Sequence, residues 1–243
     1  MSGALERFRT RLGEICQERG LLDEPVSVTA RELTPEEAIG NPDHDDYPII
    51  IGRERMIQAE LRGACGHAFT DRPGSFSGRL SDVLGMPLAN NYRRAVLVAV
   101  ANAVARHLGL AERTIHCRDG DPVECARSAV GFVRERFPSA RRIFLVGLQP
   151  RLLEALASEF EVRVTDLDAG NVGKKKAGVT VEPAEAANAC IAWCDLIFAT
   201  GSILANGTVD APAESGKPLA FYGVTCAAAA VLLNLPRFCP LGR

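Results

Sequence analysis

Short, continuous apolar runs punctuate the second half of the chain, and each stops at glycine or a small polar residue. Ile143–Val146 runs into Gly147, Val162–Thr165 into Asp166, Leu196–Ala199 into Thr200-Gly201-Ser202, and Leu219–Tyr222 into Gly223. Strands that are apolar on both faces are strands covered on both faces, which is the signature of a parallel sheet between helices. Helical segments separate them: Pro150–Phe160, a helix ending over Asn188–Cys194, and an Ala-rich stretch over Thr225–Leu233. The expected class is α/β.

The first half has a different rhythm. Leu5, Phe8, Leu12 and Ile15 recur at three- and four-residue steps, so Met1–Glu18 is expected as an amphipathic helix. Val26–Ala30 and Met56–Leu61 read as strands, Tyr47–Ile51 as a buried strand, and Asn41–Asp46 as a polar turn. Gly63–Gly78 reads as one long loop. Tyr92–Leu108 has a small-residue face and is stopped by Gly109. A second helix is expected over Pro122–Phe137, capped by Asp121. Pro138-Ser139-Ala140-Arg141-Arg142 then marks a boundary, giving a smaller α+β unit over 1–138 and an α/β unit over 139–243.

Charge disfavours some partners. The 28 Lys and Arg nearly balance 30 Asp and Glu, a net of -2, so no broad field draws this chain to nucleic acid or an anionic membrane. The start of the chain has no apolar core of signal-peptide length, and the longest apolar stretch, Cys226–Leu233, is too short to span a bilayer. These features fit a soluble, cytoplasmic protein. Its eight cysteines form no CxxC pair and are expected reduced or ligand-bound. The Ala-rich helix would suit a homodimer, although burial in its own unit is the plainer role.

In open parallel sheets, ligands bind beyond the carboxyl ends of the strands. Those ends nominate Gly147, Gln149, Asp166, Asp168, Thr200, Gly201, Ser202, Tyr222, Gly223 and Thr225, with Asn206, Gly207 and Thr208 from the polar stretch that follows Ser202. Glycine admits a ligand to the backbone, and helix N-termini offer N–H groups to anions. Asp166 follows Gly147 at the spacing of a ribose-binding acid, but Gly147-Leu148-Gln149-Pro150 is not GxGxxG, so a nicotinamide site does not fit. S-adenosylmethionine or another nucleotide stays open, as does a plain turn-capping role for Asp166 and Asp168. Asn206-Gly207 equally fits a strand-loop-turn.

In the first half, Thr70 and Asp71 are candidates to meet the same ligand. His116-Cys117 with Cys125, and Cys65-Gly66-His67, carry the imidazole and thiol groups that borderline and soft metals prefer, at spacings that match no standard zinc module. Arg53, Glu54 and Arg55 read as surface ion pairs, and Lys174-Lys175-Lys176 as a solvated charge run. No HExxH, P-loop, kinase set or Ser-His-Asp arrangement is present, and the residues name no catalytic group.

Several segments together resemble the heavy-metal chelation domain family. They are Gly52–Glu60, Ala68–Gly74, Asn90–Ala95, Thr114–Cys117, Glu124–Ala126, Thr200–Ser202, Asn206–Thr208, Phe221–Thr225 and Arg237–Pro240. The resemblance implies an enolase N-terminal-like first domain and a Rossmann-like second domain. It also implies a protein that binds or inserts a heavy metal, with a link to corrinoid or tetrapyrrole metabolism. His67 stands where that family more often has glutamine, which adds a candidate ligand. Three functions follow as expectations: a metal or metal-chelate handling protein with its site between the units, a transferase using S-adenosylmethionine or a nucleotide, and a non-catalytic binding or assembly subunit.

Overall fold

The computed structural model describes residues 3–29, 36–37, 40–42, 44, 46–51 and 54–243. Ala30, Asp43, Asp45 and Arg53 of the sequence expectations lie outside the described residues. The chain opens with α1 (Ala4–Glu18) and β1 (Pro25–Thr29), then a short α2 (Pro48–Ile51). Next come β2 (Arg55–Leu61), β3 (Ala64–Thr70), β4 (Phe76–Arg79) and α3 (Leu80–Gly85). Two long helices follow, α4 (Asn91–His107) and α5 (Asp121–Arg136).

The remainder alternates. β5 (Arg142–Val146), α6 (Pro150–Ala157) and β6 (Glu161–Asp166) precede a small hairpin of β7 (Lys175–Lys176) and β8 (Val179–Pro183). Then follow α7 (Ala187–Trp193), β9 (Leu196–Thr200), α8 (Ser202–Asn206), α9 (Asp210–Glu214), β10 (Leu219–Tyr222), α10 (Ala227–Leu232) and β11 (Arg237–Phe238).

The first sheet has the order β3-β2-β1-β4 and is antiparallel. The second has the order β11-β10-β9-β5-β6-β8-β7 and is parallel apart from the β7–β8 pair. Its first strand, β5, is central, and the chain winds outward first through β6 and then through β9. The direction of winding reverses between β5 and β9, where the strand ends leave a crevice.

One helix joins the two sheets. Every residue of α4 from Ala95 to Ala105 is buried, so this helix has no solvent face. It lies on β2 and β3 on one side and against α8 and α10 on the other. Its small residues let backbones come close: a Cβ on Gly66 of β3 would stand 2.4 Å from the amide nitrogen of Ala103. The core around α4 therefore runs continuously from Phe8 and Leu12 of α1 to Ile197 and Phe221 of the second sheet. A second core fills the opposite face of that sheet, where Ala129 and Val133 of α5 meet Leu153 and Leu156 of α6. By packing, α5 belongs to the second sheet, although the expected 138/139 boundary leaves it in the first unit.

Four local expectations need correction. Tyr47–Ile51 is not a strand: Pro48 opens a helical turn, with the amide of Ile50 donating to the carbonyl of Tyr47. Gly63–Gly78 is not a loop but contains β3 and β4. Arg62 and Gly63 both take positive φ, the geometry of a two-residue hairpin, and carry β2 straight into β3. Asp121 is the first residue of α5 rather than its cap, and its carboxylate accepts from the amide of Arg118 at 2.9 Å. Ser202–Asn206 is a helical turn closed by Gly207 in the left-handed region, not a strand-loop-turn.

Candidate functional site

The carboxyl ends of β5, β6, β9 and β10 form one wall of a cleft of about 1050 Å³. The opposite wall comes from the first half of the chain: Tyr47 and Ile49 at α2, Glu54, the Phe69–Asp71 end of β3, and His116-Cys117. Pro122 and Cys125 of α5 close one end together with Cys239. The volume is at the upper end for small-molecule and cofactor sites. Every small-molecule candidate nominated at the strand ends and over 206–208, together with Thr70 and Asp71, borders this one cleft.

Most of their polar groups, however, serve the protein itself. Asp166 accepts from the amide of Leu148 at 2.8 Å with one carboxylate oxygen and from the amide of Asp168 at 2.8 Å with the other. The Gln149 side chain caps α6 through the amide of Leu152. Tyr222 donates its hydroxyl to the carbonyl of Gly147 at 2.8 Å, and Thr225 Oγ1 accepts from the amide of Phe69 at 3.1 Å. Asn206 Oδ1 holds Thr208. Gly201 answers to packing: a Cβ there would lie 2.5 Å from the amide nitrogen of Cys226. The turn-capping role of Asp166 and Asp168 is thus realised, with the amide of Gly170 bound to Asp168 at 2.8 Å.

Glu54 is the residue that the sequence reading misplaced. It faces into the cleft instead of forming a surface ion pair. Burial and the neighbouring Asp166 carboxylate push its carboxyl up to about 7, and Asp71 adds to this, while a hydrogen bond from Ser202 works the other way. The only sequence signal was its place just before an apolar strand that starts at Arg55, which fixes the backbone but not the direction of the carboxylate.

The two Cys/His pairs part company. The segments are neighbours, since the amide of His116 donates to His67 Nδ1 at 3.2 Å and the amide of His67 donates to the carbonyl of Thr114 at 2.9 Å. With Nδ1 accepting, His67 Nε2 donates to Gln58 Oε1 at 2.9 Å. Both ring nitrogens are spent in the interior, and burial holds the ring neutral by pushing its pKa down to about 3. Neither His67 nor Cys65 borders the cleft. His67 is therefore a satisfied core histidine, and the added ligand expected from it is not there.

His116 is different. Its Nδ1 lies 2.6 Å from the carbonyl of Cys117, so Nδ1 carries the proton and Nε2 carries the lone pair. Burial lowers its pKa and keeps the ring neutral. A ring fixed by an Nδ1–H bond to a carbonyl is arranged as metal-bound histidines usually are. Cys117, Cys125 and Cys239 share its end of the cleft. Burial pushes Cys117 far up and Cys125 up to about 12, each with Cys239 as an electrostatic neighbour, so the thiols are protonated at neutral pH. Among the described residues, no group of three or more His, Cys, Asp or Glu is drawn together to hold a metal ion.

Residues 133–235 match the DUF364 family, described as "Putative heavy-metal chelation". Nothing among curated proteins matches the sequence. A DUF364 protein of unknown function from Pyrococcus horikoshii, solved by crystallography, is similar in fold. It has a TM-score of 0.54 at 15% identity, covering 91% of this chain and 79% of its own. A second DUF364 protein of unknown function, from Desulfitobacterium hafniense, gives a TM-score of 0.49 at 15% identity over 74% of this chain and 72% of its own. The mixed α/β architecture is thus shared with a solved DUF364 structure. Among the described residues, no helix is long and apolar enough to cross a membrane.

Proposed function

We propose that this protein binds a metal carried in an organic chelate, in the cleft between the second sheet and the wall formed by Glu54, Phe69 and His116. One observation carries the reading: His116 borders the cleft as a neutral ring whose Nδ1 is engaged by the carbonyl of Cys117, with Cys117 Sγ 3.7 Å from that same nitrogen, so Nε2 is the nitrogen left for a metal, yet among the described residues no three His, Cys, Asp or Glu stand together to hold one. A bare ion needs about four donors from the protein, or three and a water. A chelated ion brings most of its own and needs one or two. The cleft is large enough for such a body. The DUF364 description agrees with metal handling, and the corrinoid or tetrapyrrole class is one source of such a chelate.

A nucleotide- or S-adenosylmethionine-dependent transferase gains no comparable support, because the carboxylate and amides expected to seat the ribose and phosphates are bonded to each other. A purely assembling subunit leaves the cleft without a use.

The experiment compares retention of bare cobalt(II) with retention of a planar cobalt chelate having an open axial position, by elemental analysis after gel filtration under anaerobic conditions. The chelate is expected to stay bound and the bare ion to wash out. His116→Gln and Cys117→Ser should each lower retention at least tenfold with an unchanged circular dichroism spectrum. Stoichiometric retention of the bare ion, or retention indifferent to both substitutions, would overturn the reading.

A further inference from the structure

The charged side chains that line the cleft are of one sign, while the Arg94 guanidinium is held against the lining carbonyls of Ala205 and Asn206 without lining it. Among the described residues that border it are the carboxylates of Glu54, Asp71, Asp166, Asp168, Glu185 and Asp210, and no lysine or arginine. Among the described residues that border it, His116 is the one side chain that could carry positive charge.

A second, independent observation concerns backbone amides. A doubly wound sheet normally turns free N–H groups at its strand ends toward a ligand, and these are what bind phosphate. Here four of them are taken by side chains. Asp166 holds the amides of Leu148 and Asp168, Gln149 holds that of Leu152, and Thr200 Oγ1 lies 3.3 Å from that of Ser202. At the ends of β5, β6 and β9 the protein's own side-chain oxygens stand where an anion would accept from these four amides.

The rest of the lining is apolar. Tyr47, Ile49, Phe69 and Leu148 face the space, and Leu167 is 63% exposed at its rim.

We infer that the cleft selects its ligand by positive charge: it takes a cationic metal complex with an apolar body and rejects phosphate-bearing and other anionic ligands of the same size. The inference rests on the metal-chelate reading and deepens it by fixing the sign of the chelate's charge. Carboxylates in a partly desolvated cleft attract a cation and repel an anion more strongly than the same groups on an open surface. Asp71 and Asp168 border the cleft with one oxygen each engaged, by Asn91 and by the amide of Gly170.

The test uses two zinc porphyrins of similar size and opposite charge, one bearing four N-methylpyridinium groups and the other four sulfonatophenyl groups. Binding of each to the full chain is measured by fluorescence quenching at low and moderate salt. The cationic complex is expected to bind at least tenfold more tightly, with affinity falling as salt rises. Asp71→Asn and Asp168→Asn should each weaken it severalfold. Asp23→Asn, at an exposed site paired with Arg79 and away from the cleft, should leave it unchanged. Equal or tighter binding of the sulfonated complex, or indifference to both cleft substitutions, would overturn the charge inference. If the sulfonated complex binds while His116→Gln still abolishes retention of the cobalt chelate, the charge inference falls alone. If neither porphyrin binds and no cobalt chelate is retained, both fall.

Discussion

Asn102 donates its side-chain amide to the backbone carbonyl of Thr225, 3.0 Å away, in the centre of the protein. The same nitrogen reaches the carbonyls of His67 at 2.8 Å and Val224 at 3.2 Å, and Oδ1 accepts from the amide of Ala228 at 2.8 Å. One fully buried side chain on α4 thereby ties β3 to the loop that floors the cleft and to the start of α10. Asn102→Leu keeps the volume but leaves these buried backbone groups unsatisfied. It should cost about 2–4 kcal/mol in urea denaturation. Hydrogen exchange at Ala228 should rise by more than the global loss predicts. An unchanged exchange rate there would show that Asn102 does not hold the loop.

Glu54 makes stability depend on pH with a definite sign. Its carboxyl ionises near 7 in the folded chain and at the ordinary carboxylate value when unfolded. Between those values the folded state binds the extra proton, so stability is greatest below about pH 4.5 and falls as pH rises through 7. The effect is of order 1–3 kcal/mol. Glu54→Gln should remove this slope and be the more stable protein at pH 8, measured by denaturation at several pH values. For the same reason, cationic ligands should bind wild type more tightly above pH 7 than below it, and the Gln variant should show no such rise.

The legible parts of this fold were those written in side-chain pattern. Ile143–Val146, Leu196–Thr200 and Leu219–Tyr222 are strands because nothing but a two-faced burial explains such runs, and their ends located the cleft. What escaped was written in backbone geometry or in distant packing. β3 is interrupted by Gly66, which looks like loop chemistry, and only the approach of α4 explains it. The strand-end amides read as free donors because sequence spacing does not show that Asp166 folds back on Leu148. Glu54 and Cys239 reach the cleft from segments far apart in the chain, so no local pattern marked them.

Two glycines test the packing argument in opposite directions. Gly66→Ala would press a methyl group onto the Ala99 carbonyl and the Ala103 amide nitrogen, at 2.5 and 2.4 Å, and neither is a side chain that can swing away. The sheet and α4 must separate, at a cost of about 1–3 kcal/mol. Gly131 is exposed on α5 with nothing near its Cβ position. Gly131→Ala should stabilise the helix by about 0.5–1 kcal/mol. Thermal melts of the two variants should move apart, and a Gly66→Ala melt equal to wild type would disprove the close crossing.

The last segment of the chain carries Cys239 to the cleft on a strap. Ile115 and Arg243 exchange a pair of backbone hydrogen bonds, both 2.8 Å. The Arg237 guanidinium fastens the start of the strap by donating to the carbonyls of Gly223 at 2.9 Å, Glu112 at 3.0 Å and Arg113. Arg237→Ala removes three hydrogen bonds, of which those to Glu112 and Arg113 are exposed and pass to water, so it should cost about 1–2 kcal/mol and loosen the strap. Thiol alkylation reads this locally, because the thiolate is the reacting form. In wild type at pH 8, Cys239 should react ahead of Cys125, whose thiol burial pushes up to about 12, and Cys117 should react last because it is buried and shifted furthest. In Arg237→Ala the rate at Cys239 should rise while that at Cys16, on the buried face of α1, stays low. Peptide mapping by mass spectrometry after timed iodoacetamide treatment gives both rates. Equal acceleration at Cys16 and Cys239 would mean that Arg237 supports the whole fold rather than the strap.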